Sequence, residues 1–313
     1  MRQRNIKDYT TPTRMIVTDN FDFLLMKKPS SYTLNVNGRL LDLSSPVVMG
    51  ILNVTPDSFY DGSRTMQDEA IAHRANEIIQ QGGAIIDVGA CSTRPGAQEV
   101  TEEEEMQRLR HALRIIRNCQ PQAAVSVDTF RPSVAKMAVE EFGVAMINDV
   151  SEGTGSMTIP LHDDDTDEMF RMVAALGVSY VLMSVRPDLE QTLKTFARKV
   201  CQLRALGVKD ILLDPGFGFG KTLEQNYALL AVMERLQVMQ LPLLVGVSRK
   251  SMAYRLLGCT PAEALNATTV LHTIALEKGA SILRVHDVKE AVEVCTLVGK
   301  MNSELINPLY NVS

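Results

Sequence analysis

Residues 123–149 read AAVSVDTFRPSVAKMAVEEFGVAMIND and contain one complete strand–helix unit followed by a second strand. The β-branched run at 123–128 predicts a buried strand, and the apolar period across 131–141 predicts an amphipathic helix. Gly143 comes directly after this helix, where a left-handed residue commonly ends it. The next apolar run, 145–148, predicts another strand, so this stretch has the alternation of a parallel α/β fold.

The same alternation extends in both directions from this unit. Strands are predicted at 47–54, 84–88, 123–128, 145–148, 180–183, 211–214, 243–247 and 282–285. Helices are predicted at 67–81, 102–117, 131–141, 166–176, 189–206, 223–236, 262–278 and 287–300. Crossovers between parallel strands are right-handed, and eight such units favour closure into a (β/α)₈ TIM barrel over an open sheet.

The residues before the barrel predict a β-hairpin. Two short runs, 32–36 and 39–43, flank Asn37 and Gly38, a pair that is typical of a type I′ turn. We expect this hairpin to cover the bottom of the barrel. The predicted organisation is an N-terminal extension and hairpin at 1–46, a barrel at 47–301 and a C-terminal tail at 302–313.

The composition is that of an ordinary globular protein, with 45% hydrophobic and 22% charged residues in a chain of 313. The formal net charge is -5 and the basic residues are scattered, which argues against nucleic acid or an anionic membrane as a partner. We therefore expect small-molecule partners. No apolar run reaches the ~18–20 residues of a membrane span. The five cysteines form no CxxC pair and no signal peptide is recognisable, which predicts a cytoplasmic protein.

Polar residues occupy the predicted strand ends, where the active site of a TIM barrel lies. Asp128, Asn148 and Asp214 end three different strands, so their side chains should converge on one mouth. Buried carboxylates and amides need hydrogen-bond partners, and a flat heterocycle rich in N–H donors would provide them. Positive charge at the same rim predicts an anionic group, such as phosphate, beside the ring. The residues that supply it are Arg94, Arg249, Lys250, Arg284 and His286.

Three features allow alternative interpretations. Residues 216–222 end in Gly-Lys-Thr, but Pro215 stands where a phosphate-binding P-loop requires glycine. Phe217 and Phe219 in this segment either line a pocket or pack in the core, and the sequence leaves both alternatives open. The polar stretch 151–168, which includes His162, is either a solvated approach to a helix, which the pattern favours, or a metal site.

Five segments, in chain order, resemble the strand-end motifs of the dihydropteroate synthase family. They are 53–59 (NVTPDSF), 92–96 (STRPG), 214–221 (DPGFGFGK), 248–250 (SRK) and 284–287 (RVHD). The resemblance covers about residues 30–300. It implies a transferase of folate biosynthesis that condenses 7,8-dihydropterin-6-ylmethyl diphosphate with p-aminobenzoate and releases pyrophosphate. It also implies Mg²⁺ and a homodimer, and an SN1-like path is consistent with the electron-rich dihydropterin.

The resemblance also implies roles for individual residues. The pterin-binding residues are expected to be Asp128, Asn148, Asp214, Lys250 and Arg284. The diphosphate-binding residues are expected to be Asn53, Arg94, Arg284 and His286, with Asn53 as the Mg²⁺ ligand. The p-aminobenzoate pocket is expected to contain Phe59, Thr93, Pro95, Phe219 and Ser248. The expected catalytic residues are Arg94, Lys250 and Asp61.

The chain departs from the family's common pattern at two positions: Cys91 stands where a glutamate is frequent, and Ser184 stands where many members have histidine. A methyltetrahydrofolate-binding methyltransferase domain has a similar barrel and pterin pocket, but it transfers no diphosphate. The intact Arg94 loop and the Arg284 segment argue against it. A catalytically inactive pterin-binding paralogue would keep Asp214 and lose the loop residues, which are present here.

Overall fold

The apolar runs of the sequence form strands in the computed structural model of the protein, which describes residues 32–54, 64–91, 100–155 and 167–305. Within these ranges the strands are β1 (Thr33–Val36), β2 (Arg39–Asp42), β3 (Val47–Asn53), β4 (Ile85–Gly89), β5 (Ala124–Asp128), β6 (Met146–Asp149), β7 (Ser179–Met183), β8 (Ile211–Asp214), β9 (Leu243–Val245) and β10 (Ala280–Val285). The helices in these ranges are α1 (Arg64–Gln80), α2 (Glu102–Cys119), α3 (Pro132–Phe142), α4 (Glu168–Leu176), α5 (Leu189–Ala205), α6 (Leu223–Ala231), α7 (Ser251–Leu257), α8 (Leu265–Glu277) and α9 (Val288–Leu305).

Eight parallel strands of the described chain, β3 to β10, close into a barrel in which β10 pairs with β3. Each strand pairs with the next one in sequence, as right-handed β/α crossovers require. The predicted (β/α)₈ barrel is therefore confirmed. All strand bounds lie within two residues of the predicted ones, because β-branched and apolar runs bounded by polar residues are strong local signals.

The helices differ most from the prediction in three places, one of which is α9, which extends to Leu305 instead of ending at residue 300. Helix α7 was not predicted, since its seven residues are too few to show an amphipathic period before Gly258 ends it with φ of 64°. The helix predicted at 223–236 ends as α6 at Ala231, and the chain continues as a 3₁₀ helix, Met233–Met239. None of the described helices is long and apolar enough to cross a membrane.

The predicted hairpin is formed by β1 and β2 and covers the bottom of the barrel. Its turn residues Asn37 and Gly38 both have positive φ, 52° and 80°, as a type I′ turn requires. Leu34 in β1 and Leu43 just after β2 are buried against the first residues of the barrel strands. The hairpin thus removes the lower end of the barrel from solvent.

Side chains of the barrel strands separate into an inner and an outer set, because successive residues of a strand point to opposite faces. The outer set, which includes Ile86 and Val88 of β4, packs against the surrounding helices. The inner set fills the lower half of the barrel. Its apolar members on the strands are Met49, Ile85, Met146, Val181, Leu212, Leu244 and Ile282. The upper half of the interior has a different chemistry, which creates the site described next.

Candidate active site

A layer of polar side chains lies directly above the apolar layer inside the barrel. Alternate strands of a TIM barrel contribute to the same layer, and a step of two residues moves one layer up. On β4, β6, β8 and β10, this step leads from Ile85, Met146, Leu212 and Ile282 to Asp87, Asn148, Asp214 and Arg284. The layer therefore contains two carboxylates, one carboxamide and one guanidinium at the C-terminal ends of four strands.

Arg284 is the electrostatic centre of this layer. Its Nε donates to Asp87 Oδ2 at 2.6 Å, and its Nη2 donates to Asp128 Oδ2 at 2.7 Å. Burial lowers the pKa of Arg284, but the two carboxylates outweigh it and raise the pKa above its ordinary value. Burial also raises the pKa of Asp128 to about 7, although Arg284 opposes this shift. Arg284 thus stays charged between the two carboxylates.

Asp87 is the residue of this layer that the sequence analysis missed. Its side chain has no solvent exposure, and it binds both Arg284 and Asn148, whose Nδ2 donates to Asp87 Oδ2 at 3.2 Å. The available signal was a single aspartate inside the apolar run Ile85-Ile86-Asp87-Val88. An ionisable residue inside a buried strand requires a partner, so this position was detectable in principle.

Asp149 follows Asn148 but points to the opposite face of β6, away from the mouth. Its carboxylate accepts from Tyr180 Oη at 2.6 Å, Ser151 N at 2.7 Å and Gly153 N at 2.9 Å. These bonds hold the start of the loop after β6 against the outer core. Asp149 is therefore a structural residue, and Asn148 is the member of this pair that faces the site.

Asp214 and Lys250 form the second charged pair of the mouth. Asp214 Oδ1 accepts from Gly216 N at 2.7 Å, and burial raises the pKa of this carboxyl although Lys250 opposes the shift. Lys250 Nζ donates to Phe217 O and lies 4.5 Å from the centre of the Phe219 ring. Burial lowers the pKa of Lys250 to about 8. The ammonium is therefore held by a backbone carbonyl and an aromatic face, with the charge of Asp214 nearby.

The two phenylalanines of the 214–221 segment have different roles. Phe217 is fully buried in the outer core, whereas Phe219 is partly exposed beside Lys250. Lys221 does not face a phosphate cradle, because its Nζ donates to the backbone carbonyls of Ser184 at 3.0 Å, Gly216 at 3.1 Å and Phe219 at 3.3 Å. The segment is thus a tight loop that is held together by Lys221 and presents Phe219 to the mouth.

Comparisons with known proteins agree with this geometry. The pterin binding enzyme family matches residues 49–286. Dihydropteroate synthase of Escherichia coli K12 is 39% identical over 285 residues, which cover 87% of this chain and 98% of that protein. The chain belongs to the dihydropteroate synthase family. Members of this family are transferases of folate biosynthesis, and that is the function of this protein.

Solved structures of dihydropteroate synthases share the fold. The enzyme of Xanthomonas albilineans with 4-aminobenzoic acid superposes with a TM-score of 0.77 at 35% identity, covering 87% of this chain and 99% of that chain. The enzyme of Clostridium difficile, whose structure was determined in the presence of pteroic acid, has a TM-score of 0.74 at 32% identity over 82% of this chain and 97% of that chain. The family and the barrel are thus supported independently.

Ser248 and His286 meet at the rim of the synthase barrel. The His286 backbone N–H donates to Ser248 Oγ at 3.1 Å, and His286 Nδ1 lies 3.2 Å from the same oxygen. Ser248 is buried and its hydroxyl is engaged in these contacts. Its observed contacts therefore orient the imidazole of His286, which follows β10.

Arg249 does not supply positive charge to the rim, contrary to the sequence-based expectation. Its guanidinium forms a two-point ion pair with Asp287, with both distances 2.8 Å. Its Nη1 also donates to the carbonyls of Pro261 at 2.8 Å and Ala262 at 2.7 Å. The backbone of Arg249 has φ of 52°, which turns the side chain toward these partners, so it braces the loop after β9 in the synthase.

Asn53 ends β3 with an exposed side chain at the mouth of the synthase. The neighbouring strand ends in Gly89, and a Cβ at that position would lie 3.4 Å from Asn53 Oδ1. The other predicted site residues, Phe59, Asp61, Thr93, Arg94 and Pro95, lie outside the described residues, as does His162. Among the residues that are described, there is no group of three or more His, Cys, Asp or Glu side chains able to hold a metal.

Gly216 is expected to tolerate no side chain in this synthase. Its φ is +69°, and a Cβ would lie 2.0 Å from the carbonyl oxygen of Ser184. We expect Gly216→Ala to lower the free energy of unfolding by more than about 3 kcal/mol, because backbone strain and a backbone clash act together. Urea unfolding measures the change. The control is Gly177→Ala, where φ is +66° but no atom lies within 4 Å, so only about 1–2 kcal/mol of strain is expected. Equal losses in the two variants would contradict the clash at Gly216.

Proposed function

We propose that the barrel mouth condenses 7,8-dihydropterin-6-ylmethyl diphosphate with p-aminobenzoate to give dihydropteroate and pyrophosphate. The observation that carries this proposal is the convergence of Asp128, Asn148 and Asp214 with the cations Lys250 and Arg284 in one buried cluster. Oxygen acceptors suit the N–H-rich edge of a pterin, and cations suit its diphosphate. The related structures containing 4-aminobenzoic acid or pteroic acid support the same substrate class.

The pterin is proposed to bind in the interior layer of the mouth. Asp214 uses one oxygen for the backbone of Gly216 at 2.7 Å, so its second oxygen is proposed to accept from the ring. Asn148 donates its amide to Asp87, which points its oxygen to a different partner. Gly246, directly after β9, lies between the two cations, since a Cβ there would be 3.8 Å from both Lys250 Nζ and Arg284 Cβ. A planar ligand can then lie beside the arginine.

The diphosphate is proposed to bind at the rim, with Asn53, Arg94, Arg284 and His286 around it. The exposed carboxamide of Asn53, beside a glycine that leaves space, fits a magnesium site. Mg²⁺ keeps several waters and commonly takes only one or two protein oxygens together with substrate phosphates, so no acidic cluster is required. When bound, Mg²⁺ would neutralise charge on the departing pyrophosphate.

The reaction is proposed to follow an SN1-like path. The bond between the pterin methylene carbon and the diphosphate oxygen breaks, and the electron-rich dihydropterin delocalises the resulting cation. The amine of p-aminobenzoate then attacks the methylene carbon and loses a proton. No protein nucleophile is needed, and Cys91 is a poor candidate because burial raises the pKa of its thiol. Asp61, Arg94 and Lys250 are the proposed catalytic residues, and Lys250 holds the ring from its place above Phe219.

The p-aminobenzoate pocket is proposed to contain Phe219 and Ser248 together with the loop residues Phe59, Thr93 and Pro95. Phe219 is partly exposed at the mouth and offers an aromatic face. Ser248 orients the imidazole of His286 and in this way helps to shape the pocket.

The decisive test of the proposed function is product formation from the pterin diphosphate and p-aminobenzoate by the purified protein with Mg²⁺. Pterin binding without dihydropteroate formation would indicate an inactive pterin-binding protein and contradict the proposal.

His286 is proposed to bind the diphosphate, so His286→Ala should weaken pyrophosphate binding more than binding of the bare pterin alcohol. We expect a loss of about 1.5–3 kcal/mol for pyrophosphate, the usual contribution of a hydrogen bond to a charged group. Calorimetry with each ligand measures both affinities. His111→Ala is the control, because His111 pairs with Asp68 on the helical surface at 2.6 Å and should leave both affinities unchanged. Equal losses for both ligands in His286→Ala would place this residue elsewhere.

A homodimer that resides in the cytoplasm is also proposed. Large apolar side chains are exposed on the consecutive helices α7, α8 and α9, which contact one another. They are Leu256, Leu257, Val270 and Leu297. Exposed apolar surface of this kind is typical of a protein interface, and a second copy of the chain is the proposed occupant. Sedimentation equilibrium would reveal a dimer, and a monomer at micromolar concentration would contradict it. The five free cysteines agree with a reducing compartment.

A further inference from the structure

Asp87 lies beneath the proposed pterin site and contacts two of its residues. Its Oδ2 accepts from Arg284 Nε at 2.6 Å and from Asn148 Nδ2 at 3.2 Å. The three residues come from β4, β6 and β10, so they meet only because the barrel closes. Asp87 itself has no solvent exposure and lies one step deeper along its strand than Gly89, which ends at the mouth.

The environment of Asp87 is poorly explained by stability alone. Its Oδ1 is buried and has no hydrogen-bond partner among the described residues. An unsatisfied buried oxygen destabilises the folded protein. Replacing a buried ion pair by apolar residues is often neutral or stabilising. A buried carboxylate at such a position is therefore better explained by what it does to its neighbours.

Asp87 determines which end of the Asn148 carboxamide faces the mouth. A carboxylate paired with a guanidinium only accepts hydrogen bonds, so Asn148 must turn its Nδ2 toward Asp87. The Asn148 oxygen is then presented to other partners as an acceptor. This orientation matters because a pterin edge presents N–H donors, which an amide nitrogen in the same place would repel.

Asp87 also sets the orientation of Arg284. It holds the guanidinium through Nε, the nitrogen nearest the aliphatic stem, while Asp128 holds Nη2. No described residue accepts from Nη1, which leaves that group for a ligand. Because the guanidinium is planar, fixing Nε and Nη2 fixes its plane as well. A single carboxylate thus orients both a donor and an acceptor of the site.

We infer that Asp87 is a positioning residue for pterin recognition, which orients the Asn148 carboxamide and the Arg284 guanidinium without touching the substrate. This inference rests on the proposed function. Asp87→Asn should weaken binding of the bare pterin alcohol at least tenfold, because an asparagine does not dictate how Asn148 turns and pairs weakly with Arg284. The KM for p-aminobenzoate should change less than twofold.

The sharpest test exchanges the two side chains. Asn148→Asp places a second carboxylate against Asp87 and should also weaken pterin binding at least tenfold. In the double variant Asp87→Asn/Asn148→Asp, the new asparagine donates to the new aspartate, which again presents an acceptor oxygen to the mouth. The double variant should therefore bind pterin more tightly than either single variant. Losses that simply multiply in the double variant would overturn the inference. If one single variant fails to fold, a double variant that binds pterin no better than the other single variant would overturn it.

Ser126→Ala is the matched control for the exchange. Ser126 pairs with Asp87 across β4 and β5, is fully buried and has a hydroxyl without a hydrogen-bond partner among the described residues. Its removal should leave pterin affinity unchanged. Pterin affinity of the unmodified protein is measured first. No binding there would overturn the proposed function and this inference together, whereas normal binding by both unmodified protein and Asp87→Asn would overturn only the role of Asp87.

Discussion

Asp214→Asn is expected to weaken binding of the bare pterin alcohol by about 10- to 100-fold, the equivalent of about 1.5–3 kcal/mol for a lost charge-assisted hydrogen bond. Asp214 uses Oδ1 for the backbone N–H of Gly216, and the same bond can hold the new carboxamide oxygen in place. The amide nitrogen would then replace the acceptor that faces the mouth, close to Lys250, and would oppose the N–H donors of the ring. Isothermal calorimetry measures the affinity.

Asp210→Asn is the matched control for this substitution. Asp210 directly precedes β8, the strand that ends in Asp214, and its Oδ2 accepts from Asn35 N at 3.3 Å under the hairpin. The substitution Asp210→Asn therefore removes one negative charge at the opposite end of the same strand. Pterin affinity should be unchanged in Asp210→Asn, and the fold should persist in both variants. Wild-type pterin affinity in Asp214→Asn would show that this carboxylate does not face the ring.

Lys250→Met is expected to lower kcat/KM by about 10²–10³-fold. The substitution removes the ammonium beside Asp214 and above Phe219 while keeping a flexible apolar stem. Burial lowers the pKa of Lys250 from its ordinary value of 10.5 to about 8, so folding disfavours its charged form. That cost is fully present below pH 8 and fades as the pH rises above 8. The stability of Lys250→Met relative to the wild type should therefore be highest near neutral pH and decrease at alkaline pH.

The same pKa predicts how pterin affinity depends on pH. Wild-type affinity should fall relative to that of Lys250→Met as the pH rises through about 8, because only the wild type loses a positive charge at position 250. Titration of the pterin itself affects both proteins equally, so the ratio of the two affinities reports only the titration of the protein. Lys221→Met is the control: burial lowers the pKa of Lys221 to about 8 as well, but its Nζ holds three loop carbonyls. Its loss should lower the thermal midpoint. Full activity in Lys250→Met would contradict the proposed role of Lys250 in catalysis and pterin binding.

Local patterns account for the parts of the fold that the sequence predicted. A strand needs only a short apolar run with polar ends, and the hairpin needs only Asn37 and Gly38 at the turn. The ends of eight strands could therefore be placed, and with them the chemistry of the mouth. Asn148 and Asp214 were identified because a strand end is visible in sequence. The Phe217 and Phe219 alternatives stayed open, since both rings belong to the same loop motif.

The sequence by itself determined the barrel, the hairpin below it and the residue types at the mouth, because each depends on neighbours a few positions apart. Only the tertiary structure decided the pairings. Arg284 meets Asp87 and Asp128 across 197 and 156 residues of chain, and Arg249 turns to Asp287 instead of the rim. These contacts depend on how eight strands close and in what register. Burial then decides which charges must be neutralised, since a charge in the barrel interior is stable only beside a partner that closure brings to it.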